Sequence, residues 1–570
     1  MLNIVQFLKC IKKNENFISI VLLFVFFIIN CFIYWTSIIQ LLYDVGREFI
    51  IPQAILDGKV LYKDILNIYG PLAFIINAFA FKFFGASFQT LNAMGALSGL
   101  IFVFSCYFLS KEFLSRKLSF LLALLICTCI FNSTLFNFLT SYSYNTVYGL
   151  TSYTLSSLFI IRYLKYGNLK DILIASCAAG FCISNKIEYY WIPLILALSA
   201  LYLRPLNLKD LLKTVIAFLI FPIFSLFFLF YQGLNFADLL NALHVIKAST
   251  FVEPMLYFHK LIGIYPDKDQ ILSGIQPFCF LLIMLSISYI GFKHTVNKKI
   301  LRVLIILFIF GLMLFHNYWL PKIFGYLPII FTLLTFIHFK IIVKDKALLA
   351  LCIIVIGASL KTYFFTNLTI YGYYTVLLLF IGVAVLFNNV LKFPVNISMN
   401  TSEKENYTAF LLILFSLIFF ISHLSIRITL GYERLIGGGV NLYSLSLYNK
   451  PLNDMAVYIR ENTDNNDRLI VYPEGEIINI LSERKPDYLY YSLHPIFMDT
   501  FGEDNVVERI ETEKIEYIIF VKGFGQTNDL FGREEKYKNF ELFVKNNYDH
   551  VYTTKSVRKK DVLELYKLHR

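Results

Sequence analysis

Two short stretches of an otherwise apolar chain place acids and cations close together. The first reads Tyr43-Asp44-Val45-Gly46-Arg47-Glu48-Phe49 and runs on through Asp57-Gly58 and Tyr62-Lys63-Asp64 to Tyr69-Gly70-Pro71-Leu72. The second is Asn185-Lys186-Ile187-Glu188, and Pro321-Lys322 stands alone further on. A carboxylate within hydrogen-bond reach of a hydroxyl can accept its proton. Fixed cations in a poorly hydrated place stabilise negative charge that develops beside them. Each residue also has a plainer reading. Asp44 suits a helix start, where a carboxylate is favoured, and Asp64 suits a pair with Lys63. Arg47 suits an ion pair with Asp44 or Glu48 across one helical turn. Lys186 suits a lysine snorkelling to an interface. His259 and His316, with Glu48, Glu188 and Glu253, have the types to bind a metal, but no HxxH or HxxE spacing joins them.

The elements that must position these groups follow from composition. Of 570 residues, 57% are hydrophobic and 16% charged, with 58 Phe and 38 Tyr, and the mean hydropathy is +0.63. Soluble chains carry about 25% charged residues, so this is a polytopic helical membrane protein. The formal charge of +12 is unevenly spread: residues 431–570 hold 19 basic and 23 acidic side chains, so the excess of cations lies before them. That excess sits in short loops between apolar runs. It therefore reports orientation and is no nucleic-acid footprint. The nine cysteines all precede residue 431 and form no CxxC pair; they read as small apolar fillers.

Lys9, Lys12 and Lys13 precede an apolar run from Phe17 to Leu42, too long for a signal-peptide core and followed by no small-x-small cleavage site. Twelve further runs lie near 88–110, 118–139, 144–164, 171–185, 189–203, 209–230, 276–293, 299–316, 321–341, 347–365, 371–390 and 408–428. Pro71–Phe84 is too short to cross a hydrocarbon core of about 30 Å and is expected as an interfacial or half-inserted helix. With thirteen spans and a cytoplasmic N-terminus, the basic clusters 111–117, 162–170, 204–213, 293–302, 340–346 and 392–404 all fall inside. Loops 43–70 and 231–275 and everything after residue 430 then fall outside.

Residues 47–56 are expected as a short surface helix ended by Gly58. Residues 431–570 read as a small α/β domain. Strands are expected at 468–472, 515–521, 550–553 and 562–565, and helices at 453–462, 476–484, 500–512 and 533–547. Gly437-Gly438-Gly439 reads as a hinge after the last span, since no Gly-Lys-Ser/Thr follows it.

The ordered set Asp44, Arg47, Pro71-Leu72 and Phe84-Gly85 resembles the first-loop signature of the GT-C glycosyltransferases, in particular the family 39 group with protein O-mannosyltransferases and the aminoarabinose transferases of lipid A. Gly180-Phe181-Cys182-Ile183-Ser184-Asn185-Lys186 resembles that group's Leu-Thr-Lys-Gly turn, and Tyr318-Trp319-Leu320-Pro321-Lys322 part of its later aromatic-proline segment. The stretch Glu253 to Lys260, which includes His259, resembles the aromatic run before a surface helix. Two departures stand out: Val45 follows Asp44 where the mannosyltransferases carry Asp-Glu, and Tyr69-Gly70 replace the bacterial Lys before a double proline.

The resemblance implies a transmembrane GT-C-like catalytic domain over residues 1–430 and a soluble extracytoplasmic domain over 431–570. It implies an inverting transfer of a hexosyl or pentosyl unit from a polyprenyl-phosphate donor to a cell-envelope glycolipid, polysaccharide or protein, on the outer face of a bacterial inner (cytoplasmic) membrane. Asp44 is then the expected general base, with Asp64 as the alternative. Arg47, Lys186 and Lys322 are the expected cations for the donor phosphate, and Glu48, Tyr69, Tyr144, Glu188 and His259 the expected substrate contacts. No cofactor is required, and no metal is assigned. The expected partners are the lipid-linked donor, the envelope acceptor and the bilayer. The rival class is a lipid or polysaccharide flippase. It would place ionisable residues at mid-membrane in several spans, whereas here charges gather at the ends of the apolar runs.

Overall fold

The computed structural model describes residues 15–38, 44–65, 67–131, 137–256, 325–360, 373–391, 401–429, 433–435, 437–440, 442–444, 449–522, 537–555 and 561–569, with scattered positions between 268 and 286 and at 363. Elements are numbered along the chain. Helix α1 is Glu15–Tyr34, and the two-residue strand β1, Ser37–Ile38, lies at its exit. Helices α2 Val45–Leu56, α3 Leu72–Phe84, α4 Phe88–Lys111, α5 Arg116–Cys129, α6 Tyr144–Tyr166 and α7 Leu169–Asn185 follow. Then come α8 Trp191–Leu198, α9 Leu208–Tyr231, α10 Phe236–Phe251, α11 Leu327–Ile337, α12 Lys346–Ser359, α13 Tyr373–Asn389 and α14 Thr401–Thr429.

Among the described residues four helices are long and apolar enough to cross a membrane, in α1, α4, α9 and α14, and several shorter apolar helices accompany them. The run expected at 299–316 lies outside the described residues, as does most of the run at 276–293. At about 1.5 Å per residue the 24-residue α9 spans roughly the 30 Å hydrocarbon core. Its exposed Ile216, Ile223 and Phe227, like Leu22 and Phe32 of α1, form the surface such a core solvates.

Helix α6 is the opposite case, buried on nearly every face. Its hydroxyls are satisfied without water: Ser152 and Ser157 donate to the carbonyls of Tyr148 and Tyr153 one turn back, and Ser156 donates to Ala175 of α7. Serine can sit inside such a core because each hydroxyl finds a carbonyl. Helices α4 and α7 pack along α6, and α9 packs along α7. Ser143 caps α6, its hydroxyl accepting from the Thr146 amide, and the left-handed Gly167 ends it.

After α14 come β2 Glu433–Leu435, β3 Leu442–Ser444, α15 Asn449–Asn462, β4 Leu469–Tyr472, α16 Ile477–Ser482, α17 Pro495–Phe501 and α18 Glu503–Thr512. The chain closes with β5 Tyr517–Val521, α19 Lys538–Asn547, β6 Tyr548–Lys555 and β7 Asp561–Leu568. One sheet has the order β4-β5-β7-β6, with β4 and β5 parallel and the other pairs antiparallel. Alternation along β4 and β5 buries both faces. Ile470, Ile518 and Phe520 face a small core with Met498, Val506 and Phe540. Leu469, Val471 and Ile519 join the same continuous core as the membrane helices.

A second sheet, β1-β3-β2, pairs β1 in parallel with β3 and so ties the exit of α1 to the C-terminal part. The triple glycine is the turn between β2 and β3, packed against the Ile480 and Leu481 carbonyls. The sequence reads it as a hinge; in the fold it is a packed hairpin turn.

Candidate functional site

The first loop forms the expected surface helix as α2, with Asp44 at its N-cap and Gly58 just past its end. Asp44 does not cap it with its side chain. Its φ of 62° and ψ of −40° lie near the γ-turn region, where a residue other than glycine is strained by about 1–3 kcal/mol. The carboxylate turns instead onto Arg47, with Nη1–Oδ1 at 2.6 Å. Arg47 also donates from Nε and Nη2 to Glu48 Oε1, at 3.2 and 3.1 Å, and from Nη2 to the Tyr142 carbonyl at 2.8 Å. Glu48 is fully buried, and its other oxygen accepts from the Tyr144 amide at 2.9 Å. It thus serves the positive end of α6. Burial pushes the Glu48 carboxyl up to about 7, against the opposing pull of Arg47 and the Tyr144 amide.

Lys186 enters from the turn after α7. Its side chain is 7% exposed, and Nζ lies 3.2 Å from Glu188 Oε2 and 3.0 Å from Thr146 Oγ1, to which it donates. The Tyr69 ring joins the two cations: the Arg47 guanidinium stands 5.1 Å from its centroid and Lys186 Nζ 5.3 Å. The Tyr69 carbonyl is fixed by the Tyr62 hydroxyl at 2.6 Å and the Asn67 amide at 2.7 Å.

Close approach brings the loop to the lysine turn. The Gly70 amide donates to the Asn185 carbonyl at 2.9 Å. A Cβ on Gly70 would stand 2.2 Å from the Ser184 carbonyl oxygen, so only glycine fits.

Of the residues singled out by sequence, Asp44, Arg47, Glu48, Tyr69, Lys186 and Glu188 come together. Tyr144 joins them through its backbone amide, while its hydroxyl is turned to the Leu139 carbonyl. Asp64 stands apart: Oδ2 accepts from the Val60 amide at 2.8 Å and closes the 60–64 turn. Lys322 and His259 lie outside the described residues. Among the described residues no three His, Cys, Asp or Glu are placed to hold a metal ion.

Sequence reasoning missed the contribution of the C-terminal part. Glu474 and Glu476, in the turn after β4, and Tyr491 and His494, before α17, surround Arg47 and Asp44. Glu474 Oε1 accepts the Asp44 amide at 3.4 Å. Burial pushes the fully enclosed Glu476 up to about 7. Burial, helped by the nearby Arg47, holds His494 near 3 and therefore neutral. An acidic Pro-Glu-Gly-Glu turn at the carboxyl end of a parallel strand was the available signal, because ligand sites of such sheets gather there.

Beside the site lies an apolar cavity of about 390 Å³ between α3, α4, α6, α7 and α9, lined by Met94, Leu97, Ile101, Leu155, Phe181 and Phe221 among others. Tyr148, on its wall, donates to Asn77 Oδ1 at 2.6 Å.

The helical body has the GT-C fold, as the first-loop resemblance predicts. Solved structures of similar fold include the Archaeoglobus fulgidus oligosaccharyltransferase in complex with zinc and sulfate, at 12% identity and TM-score 0.51, covering 96% of this chain and 73% of that one. ArnT from Cupriavidus metallidurans bound to undecaprenyl phosphate is similar at 10% identity and TM-score 0.51, over 97% of this chain and 98% of that one. Its apo state matches at 9% identity with the same TM-score and coverage. No protein-family profile matches the chain, and no curated protein matches its sequence.

Proposed function

We propose that this protein is an inverting glycosyltransferase that moves a sugar from a polyprenyl-phosphate donor to a cell-envelope acceptor. The observation that carries the reading is the convergence of Asp44, Arg47 and Lys186 around Tyr69. Asp44 accepts the proton of the acceptor hydroxyl as its oxygen bonds to the anomeric carbon from the face opposite the phosphate. The anomeric C–O bond breaks at the same time, and its electron pair leaves on the lipid phosphate oxygen. Arg47 and Lys186 stabilise that charge, and losing one such group costs about 3–4 kcal/mol in the barrier.

The apolar cavity beside the site has the chemistry to take the first isoprene units of the donor, with the phosphate at the Lys186 end. Similarity to ArnT bound to undecaprenyl phosphate supports a lipid-linked donor. On this reading residues 1–430 are the membrane catalytic part. Residues 431–570 form an extracytoplasmic part, and transfer takes place on the outer face of a bacterial inner membrane.

The test compares wild type with Asp44→Asn in cells otherwise lacking the gene, by mass spectrometry of extracted lipids and envelope glycans. A single envelope species should lose a sugar in the variant at normal protein abundance, which also identifies the acceptor. Wild-type glycans in the variant would remove Asp44 as the base.

A further inference from the structure

The C-terminal part reaches into the first loop at several points. Strand β4 ends at Tyr472, and Pro473-Glu474-Gly475-Glu476 turns the chain into α16. That turn lands on the first turn of α2. Gly46 makes the approach possible, since a Cβ there would stand 2.6 Å from the Ile477 nitrogen and 2.7 Å from Glu476 Cβ. At the other end of α2 the Tyr488 hydroxyl donates to Asp57 Oδ2 at 2.7 Å. Upstream, β1 is held by β3. Helix α2 is therefore clamped at both ends by residues from the far end of the chain.

Within that clamp Asp44 keeps a backbone that an aspartate does not adopt freely, with φ at 62°. A free helix N-cap aspartate relaxes to the extended region and turns its carboxylate back onto the amides of its own first turn. Here the carboxylate is instead on Arg47, and the Asp44 amide points to Glu474 Oε1. Strained residues persist where surrounding contacts over-determine them. Glu474 is the side chain that takes the amide.

We propose that Glu474 is a positioning residue for Asp44: its oxygen accepts the Asp44 amide and so holds the backbone that aims the Asp44 carboxylate at Arg47. The site is then complete only when the C-terminal part is docked. This role rests on the reading of Asp44 as the base. It requires a lone pair on Glu474 and not a charge. Burial, with Asp44 and Glu476 nearby, in fact raises the Glu474 carboxyl well above its usual range, which favours the neutral acid. Glutamine, which keeps that oxygen, should therefore replace it, and alanine should not.

Two readouts on full-length protein separate this proposal from the functional reading. The first is amide hydrogen exchange of the peptide containing Asp44 to Glu48, in detergent micelles. Glu474→Ala should speed exchange roughly fivefold to tenfold, as expected for one lost hydrogen bond, while Glu474→Gln stays near wild type. The second is the envelope species that distinguishes wild type from Asp44→Asn. Glu474→Ala should lower its rate of formation roughly tenfold or more at equal abundance, Glu474→Gln should keep most of it, and Glu474→Ala added to Asp44→Asn should cost nothing further. Unchanged exchange and product in Glu474→Ala would overturn the positioning role while leaving the transferase reading intact. So would a Gln variant as impaired as Ala. Faster exchange in Glu474→Ala, with no glycan difference between wild type and Asp44→Asn, would keep the contact and sink the functional reading.

Discussion

Gly70→Ala is the sharpest test of how the two cations are brought together. A methyl at that position would stand 2.2 Å from the Ser184 carbonyl oxygen and 2.6 Å from that of Asn185. Both obstacles are backbone, so no rotamer change relieves them. An ordinary carbon–oxygen contact needs roughly 3.3 Å, so the first loop must withdraw from the lysine turn by about 1 Å. Withdrawal breaks the Gly70 amide bond to Asn185 and moves Tyr69 and Arg47 away from Lys186. One lost hydrogen bond and a local overpacking strain together cost about 2–4 kcal/mol of stability. A 1 Å misplacement of positioned groups costs on the order of a hundredfold in rate. The assay is formation of the envelope species defined by Asp44→Asn, measured per molecule of folded protein, alongside thermal unfolding in detergent. Wild-type turnover in Gly70→Ala would refute the claim that this close approach sets the distance between the cations.

Other outcomes test the electrostatics and the orientation. Lys186→Met should lower turnover about a hundredfold or more and leave the folded fraction nearly unchanged, because the methionine fills the same buried space; unaltered turnover would separate Lys186 from the reaction. The folded-state pKa of Glu48 is about 7 against an ordinary 4.5, so folding favours its protonated form. Stability from this group is complete below about pH 4.5 and declines as pH rises toward 7, by about 3 kcal/mol. Thermal unfolding midpoints of wild type should fall across that window, and Glu48→Gln should flatten the slope; parallel profiles would reject the argument. A cysteine at Glu511, exposed on α18, should react with a membrane-impermeant thiol reagent in spheroplasts, above the background of the unmodified chain. Protection until lysis would reverse the orientation.

The local part of the site was legible because its spacing is local. Asp44, Arg47 and Glu48 lie within one helical turn, and their types in that spacing predict both the ion pair and the short helix. The apolar runs, the loop charges and the alternating strands of residues 468–568 follow from side-chain periodicity alone, and the strands β4 and β5 fall within two residues of where the sequence places them. Asp64 stood as the alternative base in sequence terms; only the fold shows its carboxylate spent on the Val60 amide.

Tertiary structure alone decided which distant groups meet. Nothing in the pattern around Tyr69-Gly70 says that its backbone touches Ser184 and Asn185, since that contact depends on where α7 ends against the first loop. Glu474 comes to Asp44 across 430 residues, with Glu476 beside it, because β3 pairs with β1 and β4 aims its carboxyl end at α2. Composition and periodicity determine that the chain is a helical membrane protein with acids and cations at its surface. Which acid faces which cation depends on backbone contacts between segments far apart in sequence, and such contacts leave no periodic trace in either segment.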